Sequence, residues 1–185
     1  MRRLGSFASD QRGVTLVEVL VSVLVLSLGI LGLSAMFAYA VQMPRLSAYQ
    51  SAALGIASSH IDKIRANAAG FQEGAYAKPL SYDGTFHAVP AVTCDFPTCS
   101  PRTLADMDSA ATSALARKEL PAGGILVSCT PQPCSPTSSG NLWVVWQEPR
   151  SRFALNAVAT DNCPVEVTSR FNDPRPRCLY LPFQP

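Results

Sequence analysis

The sequence predicts an α+β fold in which a long N-terminal hydrophobic helix packs on a small antiparallel β-sheet head. Two observations predict the helix: residues 14–41 contain one charged side chain, Glu18, and apolar residues then recur at spacings of three and four as far as Ile64. A third observation predicts the head, because all six cysteines and every proline except Pro44 lie beyond residue 78.

The first apolar stretch is long enough to cross a membrane. Residues 14–41 would form a helix of roughly 42 Å, against a hydrocarbon core of about 30 Å. A secretory signal peptide cleaved after Ala40 is the alternative, but its apolar core is usually about 7–15 residues long and uncharged. The run here is longer and contains Glu18, so we expect cleavage at its start, after Gly13.

Residues 13–21, GVTLVEVLV, resemble the prepilin leader junction of type IV pilins and pseudopilins. In that family a membrane peptidase cuts after the glycine, and the new amino terminus is methylated. The resemblance therefore implies cleavage between Gly13 and Val14, and N-methylation of Val14. It also gives Glu18, the fifth residue after the cut, a role in setting the register of a new subunit during assembly.

Four further stretches resemble PilV-type minor pilins, also called type IV pilus modification proteins. They are residues 26–33, 64–70, 74–76 and 120–124. The resemblance implies a subunit that enters the inner membrane as a prepilin and then joins the fibre to initiate or modify pilus assembly. Its implied partners are the prepilin peptidase, other minor pilins, the major pilin and the assembly platform in the inner membrane.

Two alternatives stay open at this point. A minor pseudopilin of a type II secretion system would carry the same junction and the same apolar helix. A secreted adhesive or ligand-binding domain would instead be released by cleavage after Ala40. The position of the mature amino terminus separates the last alternative from the other two, because cleavage after Ala40 removes the helix.

Glu18 itself has two interpretations. A carboxylate inside a membrane helix costs a few kcal/mol, so it either takes up a proton or finds a partner. Cleavage after Gly13 would expose an amino group on Val14, about one helical turn before Glu18. A neighbouring subunit could offer the same group, and the complete junction favours this second interpretation.

The charge distribution bears on orientation and on partners. Arg2, Arg3 and Arg12 precede the apolar run and outnumber Arg45 after it, which predicts a cytoplasmic N-terminus and a periplasmic head. Lys and Arg total 15 and Asp and Glu total 13, and the leader, residues 1–13, holds the excess of basic residues. We therefore expect no nucleic-acid partner.

We expect three segments: a basic leader at residues 1–13, a long helix at 14–70 and a disulfide-bonded head at 71–185. Residues 14–41 are the membrane-spanning or pilus-core part of the helix. Pro44 should bend the helix without ending it, since the apolar periodicity resumes after it. A helix ending near Gly70 would be roughly 80 Å long, so its first half should protrude from a small head.

The head begins with an irregular connection over residues 76–101, with at most a short strand near Phe86. Thr103 to Asp106 has the spacing of a capping box and predicts a helix to Leu120. Its expected apolar side consists of Leu104, Met107, Ala111 and Leu115. Residues 125–129 and 142–147 predict a hairpin, residues 153–160 and 165–171 weaker strands, and residues 178–181 a short final strand. The strand order is left open.

The six cysteines form three sequence-adjacent pairs: Cys94 with Cys99, Cys129 with Cys134, and Cys163 with Cys178. Six cysteines permit 15 pairings, and short loops favour this sequential set. The export of the head makes disulfides the expected state. By resemblance, the last pair would close a C-terminal loop like that of many pilins. Zinc bound by the first four cysteines is the alternative.

Trp143 and Trp146 are an odd number of residues apart on one predicted strand, so they should point to opposite faces of the sheet. One should lie in the core, and the other should be covered by a loop or exposed as a contact. Arg170, Arg175 and Arg177 could form a phosphate-binding patch, although the balanced charge favours a solvated loop.

We expect no enzyme, no cofactor and no metal. The sequence contains no HExxH, GxSxG or phosphate-binding loop motif. Its two histidines are His60 on the long helix and His87 in a predicted loop. These expectations point to a structural or binding protein.

Overall fold

The computed structural model describes residues 13–95, 97–148, 162–171 and 175–185. The leader with Arg2, Arg3 and Arg12, and the strand predicted at residues 153–160, lie outside the described residues. The chain divides into two compact units, Met1–Gln42 and Met43–Pro185.

Helix α1 spans Leu16–Ala66. It begins two residues after Val14, the expected start, because Thr15 occupies the capping position before its first turn. Pro44 lies inside the helix and does not end it, as predicted. In the apolar stretch, the hydroxyls of Ser22 and Ser34 donate to the carbonyls four residues earlier, and Ser27 donates to the carbonyl three residues earlier. These bonds satisfy the serine hydroxyls within the helix itself.

The second half of α1 packs on the sheet through a stripe of small and branched side chains. The stripe was predicted from the three- and four-residue spacing, and its buried members are Ala53, Ile56, Ala57, Ile61 and Ile64. Tyr49 is half-buried and packs against the same core. Burial of one face is what the amphipathic periodicity of this half predicts.

The helix ends at Ala66, before the predicted stop near Gly70. Asn67 separates it from a short helix, α2, at Ala68–Gln72, which contains Gly70. The Asn67 side chain accepts a hydrogen bond from the Gly70 amide and donates to the Pro101 carbonyl at 2.8 Å. A long-range contact to residue 101 therefore stabilises the end of α1.

Helix α3 spans Pro101–Glu119, with Ser100 as its N-cap. The predicted capping box at Thr103 was wrong, because the Ser100 hydroxyl accepts from the Thr103 amide and Pro101 suits the first helical position. The expected apolar side was also wrong, since Ala111 and Leu115 are exposed. The buried side is small and polar and comprises Ala105, Asp108, Thr112, Ser113 and Ala116.

Hydrogen bonds to the rest of the head explain this choice of face. The Asp108 carboxylate accepts from the Tyr76 hydroxyl at 2.7 Å, and the Thr112 hydroxyl lies 2.9 Å from Nδ1 of His60. Because buried polar groups are costly without partners, these pairs turn the polar side of α3 inward. Burial and the hydrogen bond to Asp108 raise the pKa of Tyr76 above its ordinary value.

Three antiparallel strands form the sheet in the order β1-β2-β3. Strand β1 is Gly124–Thr130, β2 is Ser139–Trp146 and β3 is Arg177–Phe183. The predicted hairpin and final strand are confirmed. The strand predicted at residues 165–171 was wrong: a short helix, α4, occupies Val165–Thr168 after the extended Pro164. Residues 76–95 are irregular, with no strand at Phe86.

Each face of the sheet has its own packing. The face toward α1 carries Ile125, Val127, Leu142, Val144, Trp146 and Phe183. Part of the outer face is covered by Tyr82, Ala122 and Val167, which pack on Val145 and Cys178. The other part of the outer face, around Trp143, is more open.

Arg117 of α3 holds the irregular segment after Tyr76 in place. Its side chain is 6% exposed and donates to the carbonyls of Ser81, Thr85, His87 and Gly123. It also pairs with the Asp83 carboxylate at 2.9 Å. One guanidinium thus donates hydrogen bonds to several backbone carbonyls that have no partner in a neighbouring strand.

Candidate functional site

The predicted cleavage junction lies before the first turn of α1. Gly13, Val14 and Thr15 have no regular secondary structure, and their side chains are exposed. A Cβ added at Gly13 would meet no atom within 4 Å. The described residues of this junction, 13–15, are therefore exposed and outside the regular helix.

Thr15 and Glu18 meet at the start of the helix. The Glu18 amide donates to the Thr15 carbonyl at 3.1 Å and to the Thr15 hydroxyl oxygen at 3.3 Å. The spacing Thr-x-x-Glu is that of a capping box. We did not identify Thr15 as a functional residue from the sequence, although this spacing was the available signal. Glu18 is also the acidic residue of the first turn, the end of the helix at which the dipole favours a carboxylate.

The helix beyond Glu18 is apolar on every side. The segment Leu16–Ala38 has a mean hydropathy of 2.6, and none of its most apolar window is buried. At about 35 Å it is long enough to cross a bilayer, and it is the candidate span among the described residues. An exposed apolar surface of this extent requires lipid or other apolar helices around it.

The six cysteines are joined in the head as Cys94–Cys99, Cys129–Cys134 and Cys163–Cys178. The second bridge closes the connection between β1 and β2, and the third ties β3 to the residues just before α4. This is the sequential pairing that short loops favour. The first two bridges contain the four cysteines considered as zinc ligands, so their thiolates are not available to a metal in this structure.

The two tryptophans lie on opposite faces of the sheet, as the strand periodicity predicted. Trp146 is 3% exposed in the core beneath α1. Trp143 is half-buried on the outer face, where its ring lies 5.1 Å from that of Tyr180. The outer tryptophan is therefore an aromatic contact surface as well as a packing residue.

The three arginines near the C-terminus differ in surroundings. Arg170 and Arg175 are exposed, whereas Arg177 is half-buried and pairs with Glu148 at 3.4 Å. An acidic partner at one of the three positions disfavours the phosphate-binding interpretation of this cluster.

The two histidines differ in their surroundings. His87 is exposed in the irregular segment, while His60 is fully buried beside Thr112 and Lys63. Burial, with a smaller effect of the Lys63 charge, lowers the pKa of His60 from 6.5 to about 4. Its surroundings are those of a neutral structural histidine that joins α1 to α3.

Comparison with known protein families gives a match at the amino terminus. Residues 8–34 match the family described as "Prokaryotic N-terminal methylation motif". No curated protein and no solved structure matches the chain significantly. The motif covers the junction and much of the apolar helix, and it supports a pilin- or pseudopilin-like protein with a structural role.

Proposed function

We propose that this chain is a minor pilin of a type IV pilus, of the PilV type. It enters the inner membrane as a prepilin, loses residues 1–13 by cleavage after Gly13, and becomes methylated on Val14. It then leaves the membrane and joins the fibre, where it initiates or modifies assembly. The observation that carries this proposal is the open junction followed directly by a helix that is apolar on every side.

The physical argument rests on how the apolar helix can be accommodated. In the membrane, lipid surrounds its side chains, which are 51–76% exposed over the larger residues from Leu16 to Phe37. In a fibre, the same side chains pack against helices of neighbouring subunits. A helix with apolar residues on all sides suits both environments, so one segment serves membrane storage and assembly.

Glu18 would make the transfer between these environments specific. Burial of its carboxylate in an apolar bundle is costly unless a cation pairs with it. The methylated amine of Val14 on a neighbouring subunit supplies that cation, and it can do so in only one register. The positively charged leader would stay in the cytoplasm until cleavage, which places the head in the periplasm.

The partners follow from this route: the prepilin peptidase, other minor pilins, the major pilin and the assembly platform in the inner membrane. Head oxidation in the periplasm is part of the proposal. Peptide mapping without reduction should recover the pairs Cys94–Cys99, Cys129–Cys134 and Cys163–Cys178. Free thiols with stoichiometric zinc would contradict it.

Mass spectrometry of the chain from membrane and sheared-pilus fractions tests the proposal. The expected amino terminus is methylated Val14 in both fractions. A terminus at Val41 would overturn it, because the apolar helix would be lost and a secreted domain would remain. A deletion strain adds the distinction from a pseudopilin: fewer pili support a pilin, while retained pili with loss of a secreted enzyme would indicate a type II secretion system.

A further inference from the structure

The open part of the outer sheet face carries a row of three side chains from three strands. Leu126, Trp143 and Tyr180 are cross-strand neighbours in register. The indole and phenol rings lie 5.1 Å apart and are tilted by 32°. At this distance and tilt the two rings are stacked with an offset, so Tyr180 supports one face of the Trp143 ring.

The polar tips of both rings are already held by the protein. The Trp143 Nε1–H donates to the Asn162 carbonyl at 2.8 Å, and the Tyr180 hydroxyl donates to the Asn141 side chain at 2.8 Å. Asn141 is itself held, since its amide nitrogen donates to the Thr130 hydroxyl at 3.0 Å. The orientation of both rings is thereby set before any ligand arrives.

Trp143 also forms one wall of a partly enclosed cleft of about 310 Å³. This volume is at the small end of the range for small-molecule sites. The Ser128 hydroxyl and the Gln132 amide line the same cleft, and neither side chain has a hydrogen-bond partner among the described residues. The cleft thus combines an aromatic wall with free donors and acceptors.

The charges around the cleft cancel. Lys78 lines it and is paired with Asp106. The other charged lining residues, Glu166 and Arg170, have opposite signs. A phosphate chain or another anion would need an excess of positive charge, which these residues do not supply.

We propose that this cleft binds a neutral oligosaccharide, with one sugar ring stacked on Trp143. The C–H face of a sugar ring carries slight positive charge and packs on the negative face of an aromatic ring. Its hydroxyls both donate and accept, which matches Ser128 and Gln132. An apolar ligand would leave those two groups unpaired. The inference concerns the head alone and does not rest on the pilus proposal.

The test uses the full chain in lipid nanodiscs, with empty nanodiscs as the blank. The probes are uncharged hexasaccharides of glucose, galactose, mannose and N-acetylglucosamine, followed by calorimetry and tryptophan fluorescence. At least one should bind saturably, with an affinity that is unchanged between low and high salt because no charges are neutralised. Failure of all four probes to bind overturns the proposal.

Variants locate the site. Trp143→Ala should weaken binding by about tenfold or more, since it removes the stacking surface. Gln132→Ala, at an exposed position in the lining of the cleft, should weaken binding several-fold. Phe86→Ala is the matched control, because Phe86 is 71% exposed and does not line the cleft. Equal loss with Phe86→Ala, or no loss with Gln132→Ala and Trp143→Ala, contradicts the assignment.

A nucleic-acid probe tests whether the cleft binds another class of polymer. Single-stranded oligothymidylate could also stack on Trp143, but its binding would weaken steeply with salt. Salt-sensitive oligothymidylate binding that Trp143→Ala abolishes, without saccharide binding, would replace the saccharide with a nucleic acid. Saccharide binding that oligothymidylate does not displace supports the proposal.

Discussion

The two halves of helix α1 solve different packing problems. From Leu16 to Ala38 apolar side chains cover every side and none of the most apolar window is buried, whereas Ala53 to Ile64 present one stripe that is buried in the core of the head. The stripe finds its partners in the same chain. The apolar first half has to find them in lipid or in other helices. The periodicity of apolar residues therefore indicates whether a helix serves its own domain or an assembly.

The same contrast applies to polar groups. In the first half, serine hydroxyls bond to the carbonyls of their own helix, and Glu18 is the charged exception. In the head, buried polar groups bond across long sequence separations, as His60 does with Thr112. If this comparison is right, changes in the first half should affect assembly alone, and changes in the head should affect folding.

The largest expected effect is that of Glu18 substitutions on assembly. Glu18→Ala and Glu18→Gln should still be cut after Gly13 and accumulate in the membrane, but be depleted from sheared pili by about tenfold or more, because the ion pair proposed for Glu18 in apolar surroundings would be lost. Glu18→Asp should be intermediate, being charged but about one carbon shorter. The measurement is the ratio of subunit in the two fractions at equal expression.

Glu18→Gln separates the two roles of this residue. Glutamine serves the third helical position of a capping box as well as glutamate does, so helix capping is kept while the charge is lost. Wild-type incorporation of Glu18→Gln, with depletion of Glu18→Ala, would show that capping by residues 15–18 is what assembly requires.

In the head, the largest effect should come from Arg117. Arg117→Ala leaves several carbonyls and Asp83 without their donor, and should lower the free energy of unfolding by about 3–5 kcal/mol. Denaturant unfolding followed by tryptophan fluorescence measures it. Lys118→Ala is the control on the same helix, since Lys118 is 79% exposed and its pair with Glu119 should contribute less than about 1 kcal/mol. Similar losses for both variants would contradict the assigned role of Arg117.

His60 should make the stability of the head depend on pH. Its pKa is about 4 in the folded chain and has an ordinary value of 6.5, so the neutral form is favoured by folding. Its contribution is complete above pH 6.5. As the pH falls toward 4, the unfolded chain binds a proton that the folded chain does not, and stability should decrease by about 3 kcal/mol in total.

His60→Leu checks this assignment. The variant cannot take up the proton, so its unfolding free energy should change much less between pH 6.5 and pH 4. Unfolding curves of both proteins at half-unit pH steps give the two slopes. Equal slopes would show that groups other than His60 cause the pH dependence of stability.

The smallest effects on stability are expected from alanine substitution of one glycine in each region. A Cβ at Gly124 would lie 2.4 Å from the backbone nitrogen of Tyr82, so Gly124→Ala should destabilise the head by about 1–3 kcal/mol. A Cβ at Gly29 meets nothing within 4 Å, and alanine is the better helix former. Gly29→Ala should therefore leave head unfolding unchanged. A shift of the head transition in Gly29→Ala would show that the two regions are not energetically independent.

Much of the fold could be predicted because its signals are local. The apolar run, the stripe from Ala53 to Ile64 and the alternation of β2 each follow from neighbouring residues. The same local reasoning failed for α3 and for residues 165–171. In α3 the polar side is buried because Tyr76, 32 residues before Asp108, supplies a hydrogen bond. No periodicity within α3 contains that information.

The two candidate sites also differ in whether local sequence signals predict them. The junction at Gly13, Val14 and Glu18 is readable from the sequence, and the matched methylation motif covers it. The cleft beside Trp143 cannot be predicted from the sequence, since strand periodicity predicts an outward tryptophan but not its neighbours. Lys78, Ser128 and Glu166 line the cleft from three separate parts of the chain.

The sequence by itself therefore determined the apolar helix, the methylation motif at its start, the sequential cysteine spacing and the presence of a hairpin. These depend on composition, short spacings and the two periods of regular structure. The tertiary structure decided which side of α3 is buried, where α1 ends, that α4 is a helix, and which side chains surround Trp143. Each of these depends on contacts between residues far apart in the chain, whose free energies outweigh the weak local preferences of the segments that make them.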